Sequence, residues 1–303
     1  MSCRRLILSI LATIYVVVCQ SQVLYEISGN STQDKSYLLA TNRLTDITFL
    51  DTIPNVFKVF GNCNRVVTEF AMQDYEALAA LRQAAILPDS VILRNFYSET
   101  DYNNINQALQ LTLGMGFDQV GRMRPAFLTE MYRNELMRKW LDYNEQRSME
   151  NFFEKIAAEK NIPVEGLDNV GETMYILFER EPVHWQCEEL KKVIDYPERE
   201  VRLEKDIKNM YREGRINDIA YLLVSPDNHT SLSYSDYQVY AKRNLEWVKR
   251  LAPYLKEGKT FINLNAIYIG GDKGLIACLR NAGYRVRAVN RGKLVIEEQP
   301  KEQ

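Results

Sequence analysis

The arrangement of β-prone sequence constrains this chain most, because such segments stand at its two ends with helical patterning between them. Val23 to Ser28 and Tyr37 to Thr41 are β-prone and separated by the turn cluster Gly29-Asn30-Ser31, which predicts an opening hairpin. Arg65 to Phe70 is a further short strand. Thr260 to Ala266, Tyr284 to Val289 and Lys293 to Glu297 read as strands near the other end. Strands at both ends imply that the ends of the chain meet in one sheet. The expected fold is therefore α/β (α+β), a central mixed β-sheet formed by N- and C-terminal segments with a largely helical insertion at about 101–256.

Capping and periodicity place the helices. Asp51 is the expected cap of a short helix with Pro54 in its first turn, Phe57 and Phe60 on one face and Gly61 as its stop. Asp74 opens a helix that ends before Pro88. Asp101 is the expected cap for a stripe of Ile105, Leu109 and Leu113, and Pro125 opens a helix whose stripe holds Leu128, Met131, Leu136 and Trp140. Ser148 to Asn151 caps a helix running to Lys160, and Ile162 to Leu167 reads as a short buried strand. Further helices are expected at Asn169–Phe178, His184–Ile194, Glu198–Glu213, Ser235–Lys256 and Asp272–Ala282.

The first 21 residues read as an export signal. Arg4 and Arg5 precede the apolar run Leu6 to Val18, and Cys19-Gln20-Ser21 offers small residues before a cut at Gln22. That run is shorter than the roughly 20 residues needed to span a bilayer. Cleavage would leave residues 22–303 as a single exported domain, periplasmic, cell-envelope or secreted, with no transmembrane span. A retained anchor helix and a lipid anchor at Cys19 are the other readings. Lys and Arg number 38 against 40 Asp and Glu, so no charge excess points to nucleic acid. Cys63, Cys187 and Cys278 permit one disulfide at most, and apolar flanks make core residues the plain reading.

Only two histidines occur, His184 and His229, neither at a metal-ligand spacing. Gly270-Gly271-Asp272-Lys273-Gly274 lacks the full phosphate-loop pattern and reads as a loop, as does Gly114-Met115-Gly116. Asn228-His229-Thr230 is a formal glycosylation triplet.

Several segments nevertheless carry one resemblance in order and spacing. They are Leu24 to Asn30, Ser36 to Arg43, Val66-Val67-Thr68-Glu69, Ser148-Met149-Glu150 through Gly166-Leu167, Lys242-Arg243-Asn244 and Thr260 to Val286. Together they resemble the TraB/GumN family, which includes the Tiki proteins, across essentially the whole chain after the leader. The motifs matched are a serine-methionine-glutamate helix start, a Pro-Val-x-Gly-Leu-Glu strand, an Arg-Asn helix and a closing Gly-Tyr-x-Val. The resemblance implies a metalloprotease-related hydrolase fold, in which two Gly-x-x-His histidines and a glutamate hold a divalent metal.

At both histidine positions this chain differs. The first motif reads Ala40-Thr41-Asn42-Arg43 and the second Asn265-Ala266-Ile267-Tyr268. A guanidinium cannot ligate a metal, and a phenol of pKa about 10 is a poor ligand. The expectation is thus a catalytically degenerate relative, binding no cofactor, that acts as a binding or scaffold protein for a protein or peptide partner. The alternative is an active metal-dependent hydrolase or peptidase with a rebuilt site using Glu69 and Tyr268.

Candidate site residues are Arg43, Glu69, Arg243, Asn244 and Tyr268, with Glu69 as the candidate catalytic group. Glu69 is expected to pair with Arg43. Each also has a structural reading: a salt bridge for Arg43 and Glu69, a helix-to-sheet contact for Arg243 and Asn244, and a packed ring with surface hydroxyl for Tyr268. A contiguous exposed apolar patch between Asp101 and Ile194 would instead favour partner binding by the insertion.

Overall fold

The computed structural model describes residues 22–71, 75–224 and 234–289. Residues 1–21 with their expected export signal, the strand expected at Lys293–Glu297 and the His229 segment lie outside the described residues. Six strands form one sheet: β1 (Leu24–Gly29), β2 (Ser36–Thr41), β3 (Arg65–Thr68), β4 (Val164–Gly166), β5 (Thr260–Asn265) and β6 (Tyr284–Ala288), in the order β4-β3-β5-β2-β1-β6. The helices are α1 (Val56–Gly61), α2 (Tyr75–Ala84), α3 (Glu99–Leu113), α4 (Phe117–Val120), α5 (Pro125–Leu141) and α6 (Phe152–Glu159), followed by α7 (Val170–Met174), α8 (Val183–Asp195), α9 (Pro197–Arg212), α10 (Ile216–Val224), α11 (Tyr234–Glu257) and α12 (Leu275–Asn281). None among the described residues is long and apolar enough to cross a membrane.

β5 joins the two ends of the chain. Its sequence Thr-Phe-Ile-Asn-Leu-Asn is buried on both faces up to Leu264, as a central parallel strand must be. It runs parallel to β2, with Leu39 opposite Asn263, and parallel to β3, with Val67 opposite Ile262. β3 and β4 are also parallel, whereas β1 is antiparallel to both β2 and β6. The mixed sheet from both ends of the chain is thus as expected. The helical middle adds one strand to it, β4, whose Gly166 lies so close to the preceding loop that a Cβ would sit 3.0 Å from Ala71 N.

Apolar packing forms two clusters. One surrounds the sheet and includes Leu38, Leu39, Phe153, Phe261, Trp247 and Tyr211; the other lies among α3, α5 and α8 and includes Leu109, Leu128, Leu190 and Val193. Tyr211 of α9 ties helices to sheet by donating its hydroxyl to Ala40 O at 2.8 Å.

Local differences from the sequence reading have local causes. Asp51 does not cap α1. Ile53 is extended, as the residue before a proline prefers, so Asp51 falls in a separate 3-10 turn capped by Asp46 and the helix starts at Val56. Ser98, rather than Asp101, caps α3 by accepting the Asp101 N–H at 3.1 Å. Trp140 is 55% exposed instead of joining the α5 stripe. Helices α4 and α10 were not foreseen. Cys63, Cys187 and Cys278 are all free and buried, and burial pushes the Cys63 thiol up to about 12 and that of Cys187 to about 11.

The glycine loop between β5 and α12 is a packing device. A Cβ on Gly270 would lie 2.4 Å from Ile216 O of α10, and one on Gly274 only 2.0 Å from Gly270 O. Gly274 has φ −70° and ψ 163°, open to any residue, so the cost of a side chain there is steric alone. Gly274→Ala should lower stability by about 3 kcal/mol, read as an earlier urea midpoint at unchanged slope.

Candidate functional site

Because β4, β3, β5 and β2 run parallel, their carboxyl ends reach one edge of the sheet, the place where open α/β sheets expose ligand-binding groups. Arg43 follows β2, Glu69 follows β3, Asp168 follows β4, and Asn265 ends β5 with Tyr268 in the next turn. α11 crosses this edge and lowers Arg243, Asn244 and Trp247 onto it.

Arg243 is the hub. Its guanidinium donates Nε–H to Asp168 Oδ2 at 2.8 Å and Nη2–H to the same oxygen, and it approaches Glu69 Oε2 at 3.3 Å. The cation also lies over the Trp247 and Tyr268 rings, 4.4 Å and 4.7 Å from their centroids. Asp168, whose side chain is 3% exposed, takes the Trp247 Nε1–H on its other oxygen at 2.6 Å. Both oxygens of the Asp168 carboxylate therefore accept hydrogen bonds, as a buried charge requires. The Arg243 pKa is held above its ordinary value: burial alone would lower it, but Tyr268, Glu69 and Asp168 outweigh that.

Glu69 is less enclosed, with 26% of its side chain exposed. Its Oε1 accepts the Asn265 N–H at 3.2 Å. Loss of hydration pushes its pKa up to about 7, against the pull of Arg243 and with additional repulsion from Glu150 and Asp168. Glu150, between α5 and α6, is also raised by burial, and its Oε1 accepts from Asn265 Nδ2 at 2.9 Å. Asn265 thus bridges two carboxyl groups, offering its backbone to one and its side chain to the other.

Arg43 turns away from Glu69 into the helical layer. It donates to Glu204 Oε1 and to Asn134 Oδ1, both at 3.0 Å, and lies 3.7 Å from Glu130. The expected Arg43–Glu69 pair is corrected: Arg243 takes that place, and the Arg43 cation acts instead on Glu150, pulling its pKa down against the effect of burial. Tyr268 is only 8% exposed, its ring enclosed by Arg243, Trp247 and Tyr240. Asn244 donates to Tyr268 O at 3.0 Å and Lys273 O at 2.9 Å, which anchors the glycine loop to α11. The candidates Glu69, Arg243, Asn244 and Tyr268 therefore meet, while Arg43 shares their edge but points elsewhere.

The sequence reading missed Asp168, Glu150, Asn265 and Trp247. Asp168 was within reach, since it occupies the last position of the Pro-Val-x-Gly-Leu-Glu strand motif and keeps an acidic residue there. Trp247 lies one helical turn beyond Arg243, on the same face.

The donor set does not fit a divalent ion. Glu69 has committed both oxygens, one of them to the Arg243 cation, and among the described residues no group of three or more His, Cys, Asp or Glu side chains is placed to hold a metal.

Burial ranks these carboxylates. Asp168→Ala strands the Arg243 cation and should cost about 3–5 kcal/mol in denaturant unfolding, with Glu69→Ala costing less because Glu69 retains water. The folded chain holds the Glu69 proton to about pH 7, whereas the unfolded chain releases it in the ordinary carboxylate range. Stability must then fall as pH rises through that window, and Glu69→Gln should flatten the decline when Tm is measured from pH 5 to about 8.

Comparison with known proteins places these features. No curated protein and no solved structure matches the chain. A family model described as TraB/PrgY/gumN matches residues 23–288, from β1 through β6. With nearly all of the described chain covered, including every strand that builds the polar edge, the protein belongs to the TraB/PrgY/gumN family.

Proposed function

We propose that this chain is a non-catalytic member of its family, exported to the periplasm, cell envelope or outside the cell, where it acts as a binding or scaffold protein. The supporting observation is at the two histidine positions, where this chain differs: Arg43 is tied to Glu204 and Asn134, and Tyr268 is packed with its ring against the Arg243 guanidinium. Neither side chain is a ready metal ligand.

Metal titration tests this reading. Calorimetry of the chain with Zn²⁺ or Mn²⁺ should give no stoichiometric binding, and Arg43→His with Tyr268→His should create it. One ion bound tightly by the native chain, and lost in Glu69→Ala, would overturn the reading.

One observation favours the rebuilt hydrolase: Glu69, partly exposed with its pKa raised to about 7, is poised as a general base. Peptide cleavage that rises with pH through 7 and vanishes in Glu69→Gln would establish that alternative. Export has its own measurement. Residues 1–30 fused to a reporter active only outside the cytoplasm should yield activity, and an inactive, cell-retained fusion would remove the envelope from the proposal.

A further inference from the structure

β4 ends the sheet on the side of Asp168. Its ladder to β3 uses Pro163 O, which accepts the Val66 N–H at 2.9 Å, and the Leu167 N–H, which is donated to Thr68 O at 2.8 Å. Backbone groups alternate sides along a strand, so Val164 and Gly166 turn their N–H and C=O away from β3. Both residues line a cleft of about 840 Å³, whose other walls come from Phe70, Ala77 of α2, Val170 of α7 and Arg250 of α11. This volume lies within the range of about 300–1,000 Å³ usual for ligand sites.

Two properties specify the occupant. A row of open backbone donors and acceptors is complementary to another extended backbone, which is why sheet edges pair with added strands. Charge then selects among extended segments. Arg250 is committed to Glu172 and to Leu167 O at 2.5 Å, whereas Glu165 of β4, also lining the cleft, makes no ion pair among the described residues. The uncompensated charge in the cleft is negative.

We infer that the outer edge of β4 is a docking site for an extended peptide segment of a partner protein that carries a lysine or arginine, received by strand addition along Val164–Gly166. Strand addition here requires nothing of Glu69, so the inference goes beyond the proposed function and holds for a catalytic or a non-catalytic chain alike. The cleft touches Asp168, which places the docked strand next to the polar edge without entering it.

The probe is the labelled hexapeptide acetyl-Thr-Val-Lys-Val-Thr-Val-amide, followed by fluorescence polarisation with the full chain. Two derivatives are N-methylated at alternate residues, one on the odd and one on the even positions. Only one set of peptide N–H groups can face β4, so one derivative should bind at least about tenfold more weakly and the other within about twofold of the parent. Glu165→Lys should reverse the preference to a probe with Glu in place of Lys. Val170→Trp fills the cleft from a half-buried position and should weaken binding at least about tenfold with Tm unchanged. Absence of saturable binding, equal affinity of the two derivatives, or unchanged binding by Val170→Trp would each overturn the inference. None of these outcomes bears on metal binding, so the two proposals fail separately.

Discussion

Charge taken out of water at the carboxyl ends of the parallel strands is what the surrounding structure must accommodate. Asp168 is a nearly dry carboxylate, and a group of that kind persists only if its neighbours supply donors and an opposite charge. Arg243 and Trp247 do so, with the Tyr268 ring against the guanidinium, and the elements that carry these groups must then be held in place: α11 across the sheet, β4 leading to Asp168 at its edge, and the turn after β5. A second hub works the same way in the helical layer, where Arg133 of α5 is paired with Glu130, Glu189 and Glu200 and thereby ties α5 to α8 and α9. Arg43 leaves the sheet edge to join this second hub, where it reaches Glu204 and shares Glu130 with Arg133. Replacing such pairs with apolar residues can leave stability unchanged, whereas removing one partner is costly. A network of this kind therefore fixes geometry more than it adds energy.

That geometry shapes what the edge can do. Pairing holds Arg243 and Asp168 in fixed positions, and Glu69 and Glu150 keep some access to water while sharing Asn265 as a donor. On the proposed binding role, a preformed, internally neutralised surface would receive a shaped partner with little reorganisation.

The sheet was legible in the sequence because its signals are strong and local: β-branched and aromatic runs bounded by Gly29, Gly61 and Gly283. Family motifs also brought Glu69, Arg243, Asn244 and Tyr268 to one edge. What escaped was set by tertiary distance. Nothing near Arg43 in the sequence announces that Glu204, 161 positions away, will compete with Glu69 for its guanidinium. Ser98 outcompeted Asp101 as a cap because the serine side chain could reach the Asp101 N–H, while Asp101 itself sat inside the first turn. The short strand β4 was visible, but not that it closes one end of the sheet, since a strand's position in a sheet depends on which neighbours arrive. Nothing in the sequence of the glycine loop says that α10 will pack against it.

The parallel pairing of β5 with both β2 and β3 has a consequence for synthesis. β3 leaves the ribosome about 190 residues before β5 does, and β2 earlier still, so until Thr260–Asn265 emerges the two lack the strand that separates them in the finished sheet. The helical layer can collapse on its own core in that interval, but the polar edge has no Asn265 to bridge its carboxyls and no Tyr268 to cover Arg243. The native sheet is thus completed by the last sixth of the chain. A chain stalled or truncated before β5 would leave edges of β1, β2 and β3 unpaired, a form suited to chaperone capture or aggregation rather than to partial function.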